Sequence, residues 1–403
     1  MLATKCVRVV VCAAVAMLVA APLLAAGVTL EVDAGGSDRV ETPVHATIAL
    51  PAELADVPAG DVAVELVGPD GKVPGQLVAS PEKGKAELWW VVSLKAGQKA
   101  TYTASMAKGK ASGELFAFQD EKGDHLDLLF GDRKVTRLMY VFDPDPKKRF
   151  ATAKPFTHVF DAKGEEVITS PGGNPYPHHR GIFLGYKVGA EGKRHDFWHV
   201  RNVWQRLDKF AGMEAGPVLG RMTAIVLWER AKDDAVLTEE RTVTVYRQSK
   251  PEVLLDFVSV LRSNAGDLDL GGDPEHAGCQ FRPHPDVAKR GKETRYVHPE
   301  GMKPGGGGTK DMPWSSVSYA LRDSRFNVAH LNHPQNPKGT IYSAYRPYGR
   351  FGAYGAAKLP ADQTLTLRYR IFVREGQDAA LTAPEVQRLY GDFATPPKVT
   401  VKP

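Results

Sequence analysis

Cysteine is scarce in this chain of 403 residues: there are three, and Cys6 and Cys12 lie in the N-terminal apolar stretch, so only Cys279 remains beyond it. No intrachain disulfide is available to that part, which excludes a fold built on a disulfide framework. No apolar run of roughly 18 residues, the length of a membrane-crossing helix, follows Gly27, so no stable membrane insertion is expected after removal of the leader. A surplus of one charge sign is lacking too: the net charge is +5, Lys5 and Arg8 supply two of those charges, and the rest are dispersed. Nucleic acid is therefore not an expected partner. Also missing are a long amphipathic helical pattern between Ser112 and Ala379 and a compact ligand motif such as His-Glu-x-x-His. Four glycines follow Pro304, without the flanking strand and helix of a phosphate loop; they read as a flexible loop able to act as a lid.

What is present begins with a leader. Lys5 and Arg8 precede an apolar stretch from Val9 to Ala26 that ends in small residues, the order of a cleavable signal peptide over residues 1–26. This predicts a mature protein starting near Gly27, in the periplasm or outside the cell. At 43% hydrophobic the remainder can bury at least one full core. From Val28 to about Ala111 short period-2 stretches, such as Val44–Leu50 and Ala86–Val92, alternate with turn signals such as Gly68-Pro69-Asp70-Gly71. This predicts a small β-sandwich over residues 27–111. The segment Met106–Gly113 has linker composition. Further strand patterns follow at Leu126–Phe130, Val135–Val141, Thr242–Tyr246, Val253–Val258 and Leu365–Val373, so residues 112–403 read as one large antiparallel sandwich. Pro384 suits the first turn of a short helix over Ala383–Tyr390. The fold class expected is all-β.

Three polar clusters stand out: Tyr176-Pro177-His178-His179-Arg180-Gly181, His195-Asp196-Phe197-Trp198-His199, and Glu275-His276 running to Arg282. Pro177 fixes its own φ and extends Tyr176, and Gly181 permits a tight turn into the apolar run Ile182–Tyr186. Imidazoles serve as general acids and bases, and an arginine clamps a carboxylate or polarises a carbonyl. His178, His179, Arg180, Glu275 and His276 are the candidate catalytic residues, with Glu240 as an alternative carboxylate. Tyr176, Asp196, Trp198, Arg282 and His333 are candidates for substrate binding, Trp198 or Tyr176 as a platform for a sugar face. Only one of His178 and His179 faces the cleft if both lie on a strand. The histidines, including His195, His199, His330 and His333, also supply enough imidazole for a divalent metal, although no cofactor is specified. Trp89, Trp90, Trp204, Trp228 and Trp314 read as packing.

Leu138-Met139-Tyr140-Val141 with Pro155 and His158-Val159-Phe160-Asp161, the Pro177-His178-His179-Arg180-Gly181 element, Asp196-Phe197-Trp198, Glu275-His276-Ala277-Gly278, and Asn332-His333-Pro334-Gln335-Asn336-Pro337 carry a resemblance. Together, across roughly Glu114 to Glu375, the sequence resembles the secreted bacterial proteins of the PmoA-like ("methane oxygenase PmoA") family. The resemblance implies a galactose-mutarotase-like supersandwich and a setting of glycan breakdown near sugar dehydrogenases; its label implies a metal-dependent oxygenase. The expectation is an exported carbohydrate-active enzyme working by acid–base chemistry on a sugar or uronate, as epimerase, lyase or hydrolase. A non-catalytic glycan-binding protein is the alternative.

Overall fold

The structure is a computed structural model that describes residues 27–172, 178–376 and 380–402; the expected signal peptide over residues 1–26 and the candidate Tyr176 lie outside them. The described strands form four antiparallel sheets, so the chain is all-β. The first has seven strands in the order Arg39–Ala49, Lys85–Leu94, Gly71–Ala79, Val62–Gly68, Lys99–Lys108, Val28–Asp33 and Lys398–Val401. Its strand Gly71–Ala79 pairs through its first half with Val62–Gly68 and through its second with Lys85–Leu94. That switch bends the sheet into two layers. A Cβ at Gly75 would overlap the side chains of Leu66 and Val64, so the corner requires glycine. Leu30, Val44, Leu66, Leu88 and Trp90 fill the space between the layers.

Two findings adjust the expected boundaries. Met106 and Ala107 belong to the strand Lys99–Lys108, and Met106 is fully buried, so the linker starts at Gly109. The tail after the helix is not a bare extension of the large unit: Lys398–Val401 pairs with Val28–Asp33, Leu30 facing Val401.

Two eight-stranded sheets form the large sandwich. One runs from Phe116–Glu121 through Phe156–Val159, Ile182–Gly185 and Gly278–Phe281 to Phe351–Tyr354 and Ile341–Ser343; the other includes Leu219–Ala231, Asp234–Tyr246, Val253–Ser263 and Thr364–Glu375. Ile182, Leu184, Cys279 and Phe281 of the first meet Val226, Phe257 and Ile371 of the second in one continuous core. A four-stranded sheet, with Lys187–Ala190 next to Lys193–Asp196, lies alongside. The helix spans Ala383–Ala394, four residues beyond the expected end, and Thr382 caps it reciprocally with Glu385. Its Val386 and Leu389 join Val78, Trp89, Val218 and Trp314 in an apolar cluster between the two units. There the Gln76 Oε1 accepts from the Val218 and Leu219 N–H groups at 3.0 and 2.9 Å. The five tryptophans read as packing are all buried.

Candidate functional site

Strand alternation decides which side chains meet. In Ile182–Gly185, Ile182 and Leu184 enter the core between the sheets, so Phe183 points out of the opposite face. There it packs with Phe156 and Trp198. In Gly278–Phe281 the same rule sends Cys279 and Phe281 inward and Gln280 outward. The described parts of the three sequence clusters meet at this outer face through His178, Trp198, His199 and His276.

The loop before Ile182–Gly185 is pinned by its backbone. Ser170 Oγ donates to the His179 carbonyl at 2.9 Å, Gly181 N–H to the Ser170 carbonyl at 2.7 Å, and Arg282 N–H to the Gly181 carbonyl at 2.9 Å. Gly181 has φ +20°, and a Cβ there would strike the Thr157 carbonyl. Behind Gly278 the chain again needs glycine: φ is +83° and a Cβ would collide with the Ala353 carbonyl. Asp196 organises the third loop by accepting from Trp198 N–H and His199 N–H at 3.1 and 2.9 Å. Val200 closes that turn at φ +53°, a strained conformation for a β-branched residue.

These loops bring imidazoles together. Ring centroids lie 4.5 Å apart for His178 and His179, 4.7 Å for His178 and His199, and 5.3 Å for His199 and His276. Two rings are anchored by carboxylates: His199 Nδ1 lies 2.8 Å from Asp196 Oδ2, and His276 Nδ1 lies 2.9 Å from Asp273 Oδ1. A carboxylate on Nδ1 fixes the tautomer and leaves Nε2 to exchange a proton. Burial opposes ionisation of Asp196, yet the His199 N–H and ring hold its carboxyl below the usual range.

The surroundings are cationic. Lys154 is 2% exposed; its Nζ donates to the Trp198 carbonyl at 2.5 Å and sits 4.1 Å from the Phe183 ring centroid. Burial, then the Arg180 charge, holds its amine well below the lysine range. Arg241 reaches across from the second sheet, its Nη1 3.0 Å from the Pro155 carbonyl and its Nε 2.9 Å from the buried Glu239, which steadies the backbone beside Lys154. Burial and then the Lys154 charge push His178 down to about 3; burial and then Arg282 lower His179 further. Arg180 is buried, its Nη2 donates to the Phe150 carbonyl, and burial lowers it to about 10.

Glu275 lies at the rim in an ionic knot. It accepts from Tyr345 Oη and from Arg346 Nη2 at 2.7 Å, and pairs with Arg350 Nη2 at 3.0 Å. Burial opposes its charge, but the bonds from Arg346 and Tyr345 bring it to about 2. Glu275 is thus an ionised anchor, and its carboxylate reaches proton-transfer duty only by releasing those donors. The loop after Pro304 reaches the same rim: Gly305 N–H donates to the Tyr342 carbonyl at 2.7 Å, and a Cβ at Gly305 would touch the Tyr345 ring.

His178, His179, Arg180, Asp196, Trp198, Glu275, His276 and Arg282 therefore belong to one assembly. Trp198 is not an open platform: it is fully buried, with the Arg282 guanidinium 5.2 Å from its ring, so it forms the floor. His333 does not join. Its ring packs on Phe393 at 4.9 Å and accepts from Gln335 N–H. His195 is bonded into the edge strand Lys193–Asp196, and His330 lies in the core against Tyr342 and Tyr369. Glu240 pairs loosely with Arg262 at 3.9 Å. Tyr176 lies outside the described residues. Sequence reading missed Lys154, Asp273 and Arg350; each is an isolated charge beside a proline or glycine, with no pattern of its own to mark it. Among the described residues no three His, Cys, Asp or Glu side chains are arranged to hold a metal ion.

Fold and site together define an all-β protein with a cluster of histidines in a cationic setting on the outer face of a large antiparallel sandwich. The chain belongs to the family of unknown function DUF6807, whose pattern matches residues 125–390. No curated protein matches it. Among solved structures, a chain assigned as a kojibiose phosphorylase from human microbiome aligns with a TM-score of 0.24 and 9% identity, over 64% of this chain and 34% of that one. This chain thus spans about a third of the length of that structure.

Proposed function

We propose that this chain is an exported carbohydrate-active enzyme that performs acid–base chemistry on a sugar or uronate, of the epimerase, lyase or hydrolase type. The observation that carries the reading is the meeting of His178, His199 and His276, two of them tied through Nδ1 to Asp196 and Asp273. In this mechanism a carboxylate-anchored imidazole takes a proton through Nε2 and returns it as an imidazolium, stabilised by its aspartate. His178, neutral in a desolvated cationic setting, is a weak base until an anion or developing oxyanion offsets the positive charge around it. Proton transfer is then coupled to ligand arrival. The PmoA-like resemblance adds the setting, export into a compartment where glycans are broken down.

The test starts by screening oligosaccharides and uronates by thermal shift and following the hits for product by mass spectrometry. His199→Gln and His178→Asn are expected to lower turnover about 10²-fold or more while affinity stays within about tenfold, because an amide can hydrogen-bond but cannot exchange a proton near neutrality. Ligands that bind yet are never converted between about pH 5 and 9, the range in which histidine changes charge, would replace the enzyme with a glycan-binding module.

A further inference from the structure

Arg282 is 1% exposed, and among the described residues neither its Nε nor its Nη1 has a hydrogen-bond partner. Its Nη2 makes one long contact, 3.5 Å to the Glu275 carbonyl. Next to it the indole Nε1 of Trp198 and the Nε of Arg350 are likewise buried and unpartnered. All are donors, and all belong to fully buried side chains. An arginine keeps its charge in a protein, and a buried guanidinium without an anion or a full set of acceptors is strongly unfavourable.

The neighbouring carboxylates are committed elsewhere. Asp196 and Asp273 hold His199 and His276, and Glu275 is bonded to Arg346, Arg350 and Tyr345. Among the described residues Arg282 has no carboxylate within ion-pair distance, its contact with Glu275 being to the backbone carbonyl. Next to the imidazole cluster, therefore, unpartnered donors of Arg282, Trp198 and Arg350 lie beside one another, the Arg282 guanidinium 5.2 Å from the Trp198 ring and both arginines on the Glu275 carbonyl, with the Arg282 charge uncompensated. A neutral sugar, whose hydroxyls carry no charge, would leave that charge unbalanced.

We infer that Arg282, with Trp198 Nε1 and Arg350 Nε, forms a subsite for the oxyanion of an acidic sugar, seated beside the His178–His199–His276 cluster. This rests on the carbohydrate reading above and deepens it from sugars in general to acidic sugars. The oxyanion could be the carboxylate of a uronate or the sulfate or phosphate of a sugar ester. Charge-assisted bonds from a buried guanidinium suit all three, and the ligand panel separates them.

The experiment is calorimetric titration of the mature chain with galacturonate, glucuronate, a sugar sulfate and a sugar phosphate, against galactose and glucose. At least one acidic sugar is expected to bind tenfold or more tightly than its neutral counterpart, and Arg282→Gln is expected to erase that preference, since a charged hydrogen bond in a buried site accounts for about that factor. Arg282→Lys, which keeps the charge and loses the planar fork, should retain part of it. The comparison among sugars on the unaltered chain needs no variant, so a misfolded Arg282→Gln protein does not remove the test. Equal affinity for acidic and neutral sugars, no binding of any acidic ligand, or an unaltered preference in folded Arg282→Gln each overturns the inference. An acidic sugar that binds through Arg282 and is never converted leaves the subsite standing and removes the enzyme reading; conversion of neutral sugars without preference does the reverse.

Discussion

His330 shows at the scale of one side chain what burial does to this protein. It is fully buried among Tyr342, Phe351 and Tyr369, and burial pushes it down to about 3. His158, 5% exposed beside Thr169, is pushed to about 4 by burial and then by Arg137. Both values lie below the ordinary value of about 6.5 that the unfolded chain presents. Between about pH 6.5 and 4 the unfolded chain therefore binds protons that the folded chain refuses. The stability they confer is full above about pH 6.5 and is lost on acidification, at about 1.4 kcal/mol per pH unit for each proton. His330→Gln should reduce the slope of unfolding free energy against pH by about one proton, read from urea denaturation between pH 5 and 7; an unchanged slope would show that His330 titrates in the folded protein. Residues of this kind were only half legible. The imidazole clusters are visible as short runs, so His178, His179 and His276 stood out, but a histidine of the core and one of the site look alike until strand faces are assigned. Lys154 gave no signal, because its significance lies in the aromatic and cationic side chains that the fold packs around it.

Among the elements, strands with regular alternation were readable and the irregular ones were not. Trp204–Ala215 and Leu219–Ala231 form a long hairpin interrupted by register shifts between Leu207 and Lys209 and between Phe210 and Gly212, which break the period of two. Trp314–Leu321 and Ser324–Asn332 are buried on both faces over most of their length and carry serines and asparagines inward, so hydrophobicity does not alternate along them either. The strand most closely tied to the candidate site is Gly278–Phe281, which fixes where Glu275 and His276 emerge. Gly278→Ala should destabilise the protein by about 3 kcal/mol or more, because the positive φ and the Ala353 carbonyl both exclude a side chain. Thermal unfolding measures this, together with loss of any ligand-induced shift as the His276 loop is displaced. Stability equal to that of the unaltered chain would mean that the backbone there yields easily.

Taken whole, the molecule draws its site from segments spread between Lys154 and Arg350, and no local pattern encodes such a juxtaposition; only the sheet order creates it. The same sheet order ties the two ends of the described chain together. Besides the pairing of Val28–Asp33 with Lys398–Val401, Lys402 N–H donates to the Thr29 carbonyl at 2.9 Å, and Arg39 bonds Asp392 of the helix at 3.0 Å with both side chains buried. Deleting residues 396–403 should cost about 2 kcal/mol, the sum expected for a few ladder hydrogen bonds, and should open Val28–Asp33 to limited proteolysis. A truncated chain as stable and as resistant as the full one would show that the last strand is dispensable.

That pairing also bears on the order of events at the ribosome. Domains are made from the N-terminus and ordinarily fold as they emerge, yet here the first sheet is completed by Lys398–Val401, which follows the whole large sandwich in the chain. Throughout translation the strand Val28–Asp33 has an unoccupied edge, the kind of surface that recruits a foreign strand. A nascent chain that stalls before Lys398, or a product clipped there, keeps that edge open, so the first sheet closes only once Lys398–Val401 is in place.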